Sequence, residues 1–272
     1  MEVDFNSINK AFTKQSHHYD KDDEENAILQ WMRKVVRGHV SKYLKKDGKI
    51  LELNAGTGLD ALYFGKKGYS VHATDLAEGM VKEVGEKIKN NNLEQKISYQ
   101  QCSYTELDKV NRNAFDYVFS NFGGLNCIPD LNEVIKNLPS LLSPGAYITF
   151  VIMPRVCPWE LSFMLRGNFR RAFRRYRKGG AKAHLEGEYF QTYYFAPCEI
   201  EKKFGQNFKK IALQGLASIS PPPHNVKVQE RFPKLYNALA NLDEKLSFTF
   251  PFNKWADHYI LTMQYQPEFS EK

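Results

Sequence analysis

Two glycines and three carboxylates, set close together around a short apolar strand, are the part of this sequence best suited to chemistry. Residues 50–58 read ILELNAGTG and lead straight into a helical pattern at Ala61. Gly56, Gly58 and Ala61 have the spacing of a nucleotide-binding loop, in which the backbone meets a ligand at a helix N-terminus. Asp75 ends the next strand, 19 residues after Gly56. An acid at that place accepts both ribose hydroxyls of an adenosine. A nicotinamide dinucleotide and S-adenosylmethionine satisfy this pattern equally, and charge separates them. A pyrophosphate would sit on the positive end of the helix dipole. Glu52 and Asp60 flank that place and would repel it. The same carboxylates favour the sulfonium and ammonium of S-adenosylmethionine. An NAD-dependent oxidoreductase is therefore the weakest contender.

The stretch 50–81, ILELNAGTGLDALYFGKKGYSVHATDLAEGMV, resembles the first two motifs of the class I S-adenosylmethionine-dependent methyltransferases. The resemblance implies that Glu52, Asn54, Ala55, Gly56 and Gly58 surround the methionine part of the cofactor. It implies Asp75 on the ribose, with Leu76 and Met80 against the adenine. Asn54 stands where many members have glycine or cysteine. A third motif usually carries an acid for the adenine amino group; here Cys102, Ser103 and Tyr104 take its place, and Ser103 Oγ or a backbone carbonyl is the expected substitute. FDYVFSNFGGLNCIPDL (115–131) is similar to the fourth motif, which puts Ser120, Asn121 and Phe122 beside the transferable methyl. AFTKQSHHYD (11–20) resembles the Tyr-Asp pair of members with an N-terminal lid. Tyr19 would then close over the cofactor, and Arg33 would meet its carboxylate.

The elements that must position these residues alternate. Short apolar runs at 49–53, 69–75, 96–101, 115–122 and 146–153 read as strands, and helical patterns at 61–68, 78–92 and 130–142 lie between them. Runs at 208–216 and 257–265 supply two more strands. This spacing predicts βαβ units in a doubly wound, Rossmann-like α/β fold. The expected sheet is seven-stranded and mostly parallel, with the last strand antiparallel and helices on both faces. The expected organisation is a helical lid (1–45), a cofactor-binding core (46–153), an aromatic and basic insert on the substrate side (154–195), and completion of the core (196–272) with a helical insert near 217–256.

Composition excludes several classes. No stretch approaches the ~20 apolar residues of a membrane span, and the N-terminus has no apolar signal core. A cytoplasmic protein with no membrane partner is the expectation. The four cysteines are scattered, so neither a metal site nor a disulfide framework is expected. Net charge is +7, concentrated in residues 166–178, RGNFRRAFRRYRK. That run has three readings: a solvated face, a site for an acidic acceptor or carrier, or an RNA contact. The fourth-motif sequence SNFGG does not resemble base-amino methyltransferases, so nucleic acid is disfavoured. The dense aromatics of the insert, Trp159, Phe163, Phe169, Phe173, Tyr176, Tyr189, Phe190, Tyr193 and Tyr194, suggest an apolar pocket for a flat acceptor. Methyl transfer needs a base only if the acceptor must lose a proton. His18, His184 and Tyr19 are the candidates, while His258 reads as a packing residue at the start of the last strand. The expected activity is methyl transfer to a small acidic or aromatic acceptor, with S-adenosylhomocysteine as product. The alternatives are an RNA methyltransferase or a non-catalytic binder of the cofactor.

Overall fold

The structure is a computed structural model and describes residues 3–111 and 114–267. The first two and last five residues of the expected lid and core segments lie outside the described residues. Two helices open the chain, α1 (Phe5–Glu25) and α2 (Ala27–Ser41). Asn26 separates them because its side chain accepts from the Ile28 and Leu29 amides, which starts a new helix.

Seven strands form one sheet: β1 (Lys49–Leu53), β2 (Ser70–Asp75), β3 (Ile97–Gln101), β4 (Phe115–Ser120), β5 (Leu142–Ile152), β8 (Phe208–Leu216) and β9 (His258–Tyr265). Their order is β3-β2-β1-β4-β5-β9-β8, parallel except for β9, which runs against both its neighbours. β6 (Ala181–Leu185) and β7 (Glu188–Thr192) form a separate hairpin. Helices α3 (Leu59–Lys66), α4 (Glu78–Asn90) and α8 (Pro197–Phe204) make crossovers, and α9 (Val226–Arg231) and α10 (Pro233–Leu246) precede β9. This is the mostly parallel, doubly wound sheet with an antiparallel last strand that the sequence predicts.

Both faces of the sheet are buried, and successive residues alternate between them. Leu51 and Leu53 of β1 join Val118, Ile148 and Phe150 on one face. Ile50 joins Val36, Phe64 and Phe119 on the other, beneath α2 and α3. Glu52 shares the parity of Ile50, so its carboxyl is carried into that second layer.

One element departs from expectation. The predicted helix 130–142 is only one turn, α5 (Asn132–Ile135), followed by a 3-10 turn at Leu138–Ser140. Pro139 has no amide hydrogen to continue the helix. The chain then enters β5 at Leu142, and a register shift beside β4 absorbs Pro144 and Gly145. The 154–195 segment leaves the sheet through the one-turn helices α6 (Pro158–Leu161) and α7 (Phe169–Ala172) and then makes the β6–β7 hairpin.

Candidate functional site

A cavity of about 240 Å³ opens at the carboxyl ends of β1, β2 and β4. This is where a parallel α/β sheet places its ligand. Its walls include Asn54, Gly56, Asp75, Leu76, Met80, Tyr104, Asn121 and Phe122, all expected site residues, and Tyr19 covers it from α1. Asp75 is central: its Oδ2 accepts from the Gly56 amide and its Oδ1 from the Ala77 amide, both at 2.8 Å. Burial pushes its carboxyl up to about 6, against those backbone donors.

Asn54 adopts φ +46, a left-handed conformation that asparagine tolerates better than most residues. Its Nδ2 donates to the Asn121 carbonyl at 3.1 Å, and its Oδ1 accepts from Ser120 Oγ at 2.6 Å. The polar side chain thus ties the β1 loop to the β4 loop. Gly124 makes room for it, since a Cβ there would stand 2.5 Å from Asn54 Cγ. Gly124→Ala is expected to expel Asn54 from between the loops. It should weaken S-adenosylhomocysteine binding by about tenfold and cost about 1–3 kcal/mol of stability, as overpacking does. Calorimetry and thermal melting would read the two effects.

The Tyr-Asp pair of α1 does two different things. Tyr19 lines the cavity, where burial raises its phenol above the ordinary value and its hydroxyl meets the Arg33 guanidinium. Asp20 accepts from Thr57 Oγ1 at 2.5 Å and pairs with Lys87, which also donates to the Thr57 carbonyl at 2.9 Å. The protein's own carboxylate therefore sits at the start of α3. A dinucleotide would need to place its pyrophosphate there.

Several expected roles need correction. Arg33 is not part of the cavity wall. It is 4 % exposed and held by Asp23 at 2.6 Å and Asp60 at 2.7 Å. Asp60 is not a free anion facing the cofactor either. Burial pushes its carboxyl up, but Arg33 and Arg37 outweigh burial and hold it below the ordinary range. Glu52 lies behind the cavity wall, 2 % exposed, with Oε2 lacking any hydrogen bond. Burial, and then Asp60, push its carboxyl well above the ordinary range. The charge argument from Glu52 and Asp60 therefore fails in its original form; Asp20, itself paired with Lys87, occupies the start of α3 without being a free anion.

Ser120, Ala55 and Gly58 support the loops without lining the cavity. Cys102 and Ser103 also stand outside it: Cys102 Sγ donates to the Ser103 and Glu106 carbonyls, and Ser103 Oγ meets Thr105. Only Tyr104 of that trio reaches the wall, with its hydroxyl donating to the Gly124 carbonyl at 3.2 Å. His18 is a surface residue between Asp22 (2.6 Å) and Glu186 (3.2 Å), and its hydrogen bond to Asp22 raises it above the ordinary imidazole value. His184 is exposed and packs on Tyr189 with ring centres 4.6 Å apart. Neither histidine lines the cavity. Of the insert aromatics only Phe190 does, facing Phe12 of α1 at 5.8 Å.

His258 packs and bonds locally at the start of the last strand, as expected, but it also stands next to the cavity wall. It is 8 % exposed, with Nδ1 3.0 Å from Asp257 Oδ2. Its ring packs edge-on against Phe122, 6.2 Å between centres. His258 is not itself part of the cavity wall; its Nε2 makes no hydrogen bond among the described residues and faces Gly123, which is. A Cβ on Gly123 would come within 3.3 Å of Nε2 and 3.1 Å of Met153 Cε. Asp257 is fixed in turn by Arg175, whose Nη2 donates at 2.8 Å. Burial pushes the Asp257 carboxyl up, but His258 and Arg175 more than reverse this and hold it below the ordinary range.

The fold and the cavity define a class I, Rossmann-like methyltransferase architecture. Residues 50–145 match a family model described as a methyltransferase domain. That match covers about a third of the chain, and over it the chain is similar to a methyltransferase domain. No curated protein matches it. Among solved structures it is similar to an S-adenosylmethionine-dependent methyltransferase from Methanosarcina mazei, with 19 % identity, 84 % of this chain and 97 % of that one covered, and a TM-score of 0.54. It is also similar to the 1,6-didemethyltoxoflavin-N1-methyltransferase of Burkholderia thailandensis, solved with 1,6-didemethyltoxoflavin and S-adenosylhomocysteine bound. There the identity is 15 %, the coverage 96 % and 88 %, and the TM-score 0.57. At these identities the likeness is one of fold.

The residues present fit S-adenosylmethionine. Asp75 offers its carboxylate inside the cavity, and a Cβ on Gly56 would meet nothing within 4 Å, so the loop backbone is open to a ligand.

Proposed function

We propose that this protein transfers a methyl group from S-adenosylmethionine to a small aromatic acceptor. The observation that carries the reading is the cavity that joins Asp75 and the glycine loop to an apolar wall of Phe12, Phe122, Met153 and Phe190. The bound cofactor supplies an electrophilic methyl group on a sulfonium sulfur. Asp75 would hold the ribose, Leu76 and Met80 the adenine, and the backbone of Asn54 and Gly56 the methionine end. Tyr19 and Phe12 of α1 exclude water above the cavity, and apolar walls orient a flat acceptor for attack. A second cavity of about 190 Å³ shares Ile8, Cys127 and Phe190 with the first and extends it toward Lys182 and Gln191. This is the way in for the acceptor. The small-molecule ligand of the Burkholderia thailandensis enzyme supports an acceptor of that size. With four free cysteines, reaction in the cytoplasm is the natural setting.

His258 takes the acceptor's proton at Nε2. Asp257 accepts from Nδ1–H, which leaves a lone pair on Nε2 beside the gap that Gly123 keeps clear. The arrangement has the orienting logic of a His–Asp pair, with Arg175 fixing the acid.

The test of the function is calorimetry with S-adenosylhomocysteine, which should bind one molecule per chain, and a parallel titration with NADH should show no fluorescence change. Absence of S-adenosylhomocysteine binding would overturn the reading. Once an acceptor is turned over, His258→Gln should lower kcat by about 10²–10⁴-fold, the usual worth of a general base. S-adenosylhomocysteine affinity should stay unchanged in that variant. An unaltered kcat would remove His258 from the mechanism.

A further inference from the structure

The insert between β5 and β6 is turned inside out. Its buried side carries charge: Arg175 is 3 % exposed and bonds to Glu160, Asp257 and the Pro154 carbonyl, and Arg174 grips both oxygens of Glu160. Its outer side carries large apolar groups. Leu165 is 91 % exposed and Phe169 60 %, and Met164, Phe173 and Tyr176 are exposed beside them. A helix or turn that packs on a core does the reverse. Between these apolar side chains stand the exposed cations Arg166, Arg170, Arg171, Arg177 and Lys178. None of the five forms an ion pair among the described residues. Residues 161–185 contain no acid at all. The network from Arg175 to Asp257 anchors the segment to the residue that precedes β9, so the surface is held in place.

We propose that this face docks peripherally on an anionic lipid surface. Clustered arginine and lysine are attracted to acidic headgroups, and protruding leucine and phenylalanine enter the boundary between headgroups and acyl chains. The combination selects among occupants. RNA would use the cations and the aromatic rings, but Met164 and Leu165 offer it no stacking plane. An acidic protein would need a pocket shaped for each exposed tip, whereas a deformable bilayer needs none. No helix among the described residues is long and apolar enough to cross a membrane, so the contact is one of surface only. The inference stands on this surface alone and does not depend on the reaction proposed above.

The test is sedimentation of the full chain with vesicles of phosphatidylcholine, with and without about a third of phosphatidylglycerol. The protein should pellet only with the anionic vesicles, and raised salt should release it. Arg170→Ala/Arg171→Ala/Arg177→Ala should lower the partition at least about tenfold. Leu165→Ser/Phe169→Ser should do the same while leaving every cation in place. These side chains are exposed, so melting temperatures should stay near wild type, and S-adenosylhomocysteine binding should not move. Failure of the wild type to bind anionic vesicles overturns the proposal. So does equal binding by the Leu165→Ser/Phe169→Ser variant, which would reduce the face to a general polyanion site. Tighter, equally salt-sensitive retention of a homopolymer RNA with no vesicle binding would assign the face to nucleic acid instead.

Discussion

Asp75→Ala should reduce S-adenosylhomocysteine affinity by at least about 100-fold. Two losses add. The carboxylate that would accept the ribose hydroxyls disappears, and hydrogen bonds to a charged acceptor are worth about 1.5–3 kcal/mol each. The Gly56 and Ala77 amides also lose their partner, which loosens the loop itself. Wild-type affinity should depend on pH through the same group. The carboxyl lies at about 6 because burial outweighs its backbone donors. Only its ionised form accepts from both hydroxyls. Affinity should therefore be flat above about pH 7 and fall about tenfold per unit below about pH 6. Stability without ligand runs the other way. A raised carboxyl binds its proton more tightly in the folded chain, so ionising Asp75 costs stability as pH climbs from the ordinary carboxylate value to about 6. Calorimetry across this range, on wild type and variant, reads both. A wild-type affinity independent of pH, or an Asp75→Ala variant that binds normally, would remove Asp75 from the site.

Asp60→Ala should be the most damaging single change to the fold. Asp60 Oδ2 accepts from Arg33 Nη1 at 2.7 Å and Asn121 Nδ2 at 2.8 Å, and its Oδ1 accepts from Arg37 Nε at 2.6 Å. Removing it leaves Arg33 buried with Asp23 as its remaining carboxylate partner. Arg33 Nε already has no hydrogen bond. Breaking a buried pair on one side costs about 3–5 kcal/mol. In a chain of 272 residues that is a fall of roughly 10 °C in Tm. Replacing both partners, as in Arg33→Met/Asp60→Leu, should recover much of the loss, because the uncompensated charge goes with its partner. Thermal melting of the two singles and the double would show the coupling; additive losses would mean that the pair does not interact as drawn.

The sheet was legible because short runs such as KILEL and FDYVFS alternate with helical patterns at βαβ spacing, although SVHATD has only two apolar residues, Val71 and Ala73. The glycine loop and Asp75 were legible because they lie within 20 residues of one another, on one strand-helix-strand unit. The Tyr19-Asp20 pair was legible only by resemblance, and its second half proved to grip Thr57 rather than merely accompany the tyrosine. The pairing of Arg33 was not legible because a buried ion pair and a ligand-binding arginine look alike in sequence; burial between Asp23 and Asp60 is a property of how α1, α2 and α3 pack. His258 was passed over for a topological reason. It meets Gly123, 135 residues earlier, only because β9 inserts antiparallel between β5 and β8. The insert aromatics were expected around a pocket because hydrophobic content does not state its direction; four of the nine, Phe169, Phe173, Tyr176 and Tyr189, face outward, and Tyr193 and Tyr194 are buried away from the first cavity.

The grip of α1 on the glycine loop also has a kinetic side. Asp20 on Thr57, Lys87 on Asp20 and Tyr19 over the cavity make a latch, and Lys14 adds a tie from α1 to Glu188 of the hairpin at 2.7 Å. We expect this latch to slow the departure of a molecule bound beneath the helix. The helix boundary at Asn26 supplies the point about which it would swing. Turnover would then have a clock independent of the methyl transfer: the residence time of spent cofactor, set by how often α1 lifts.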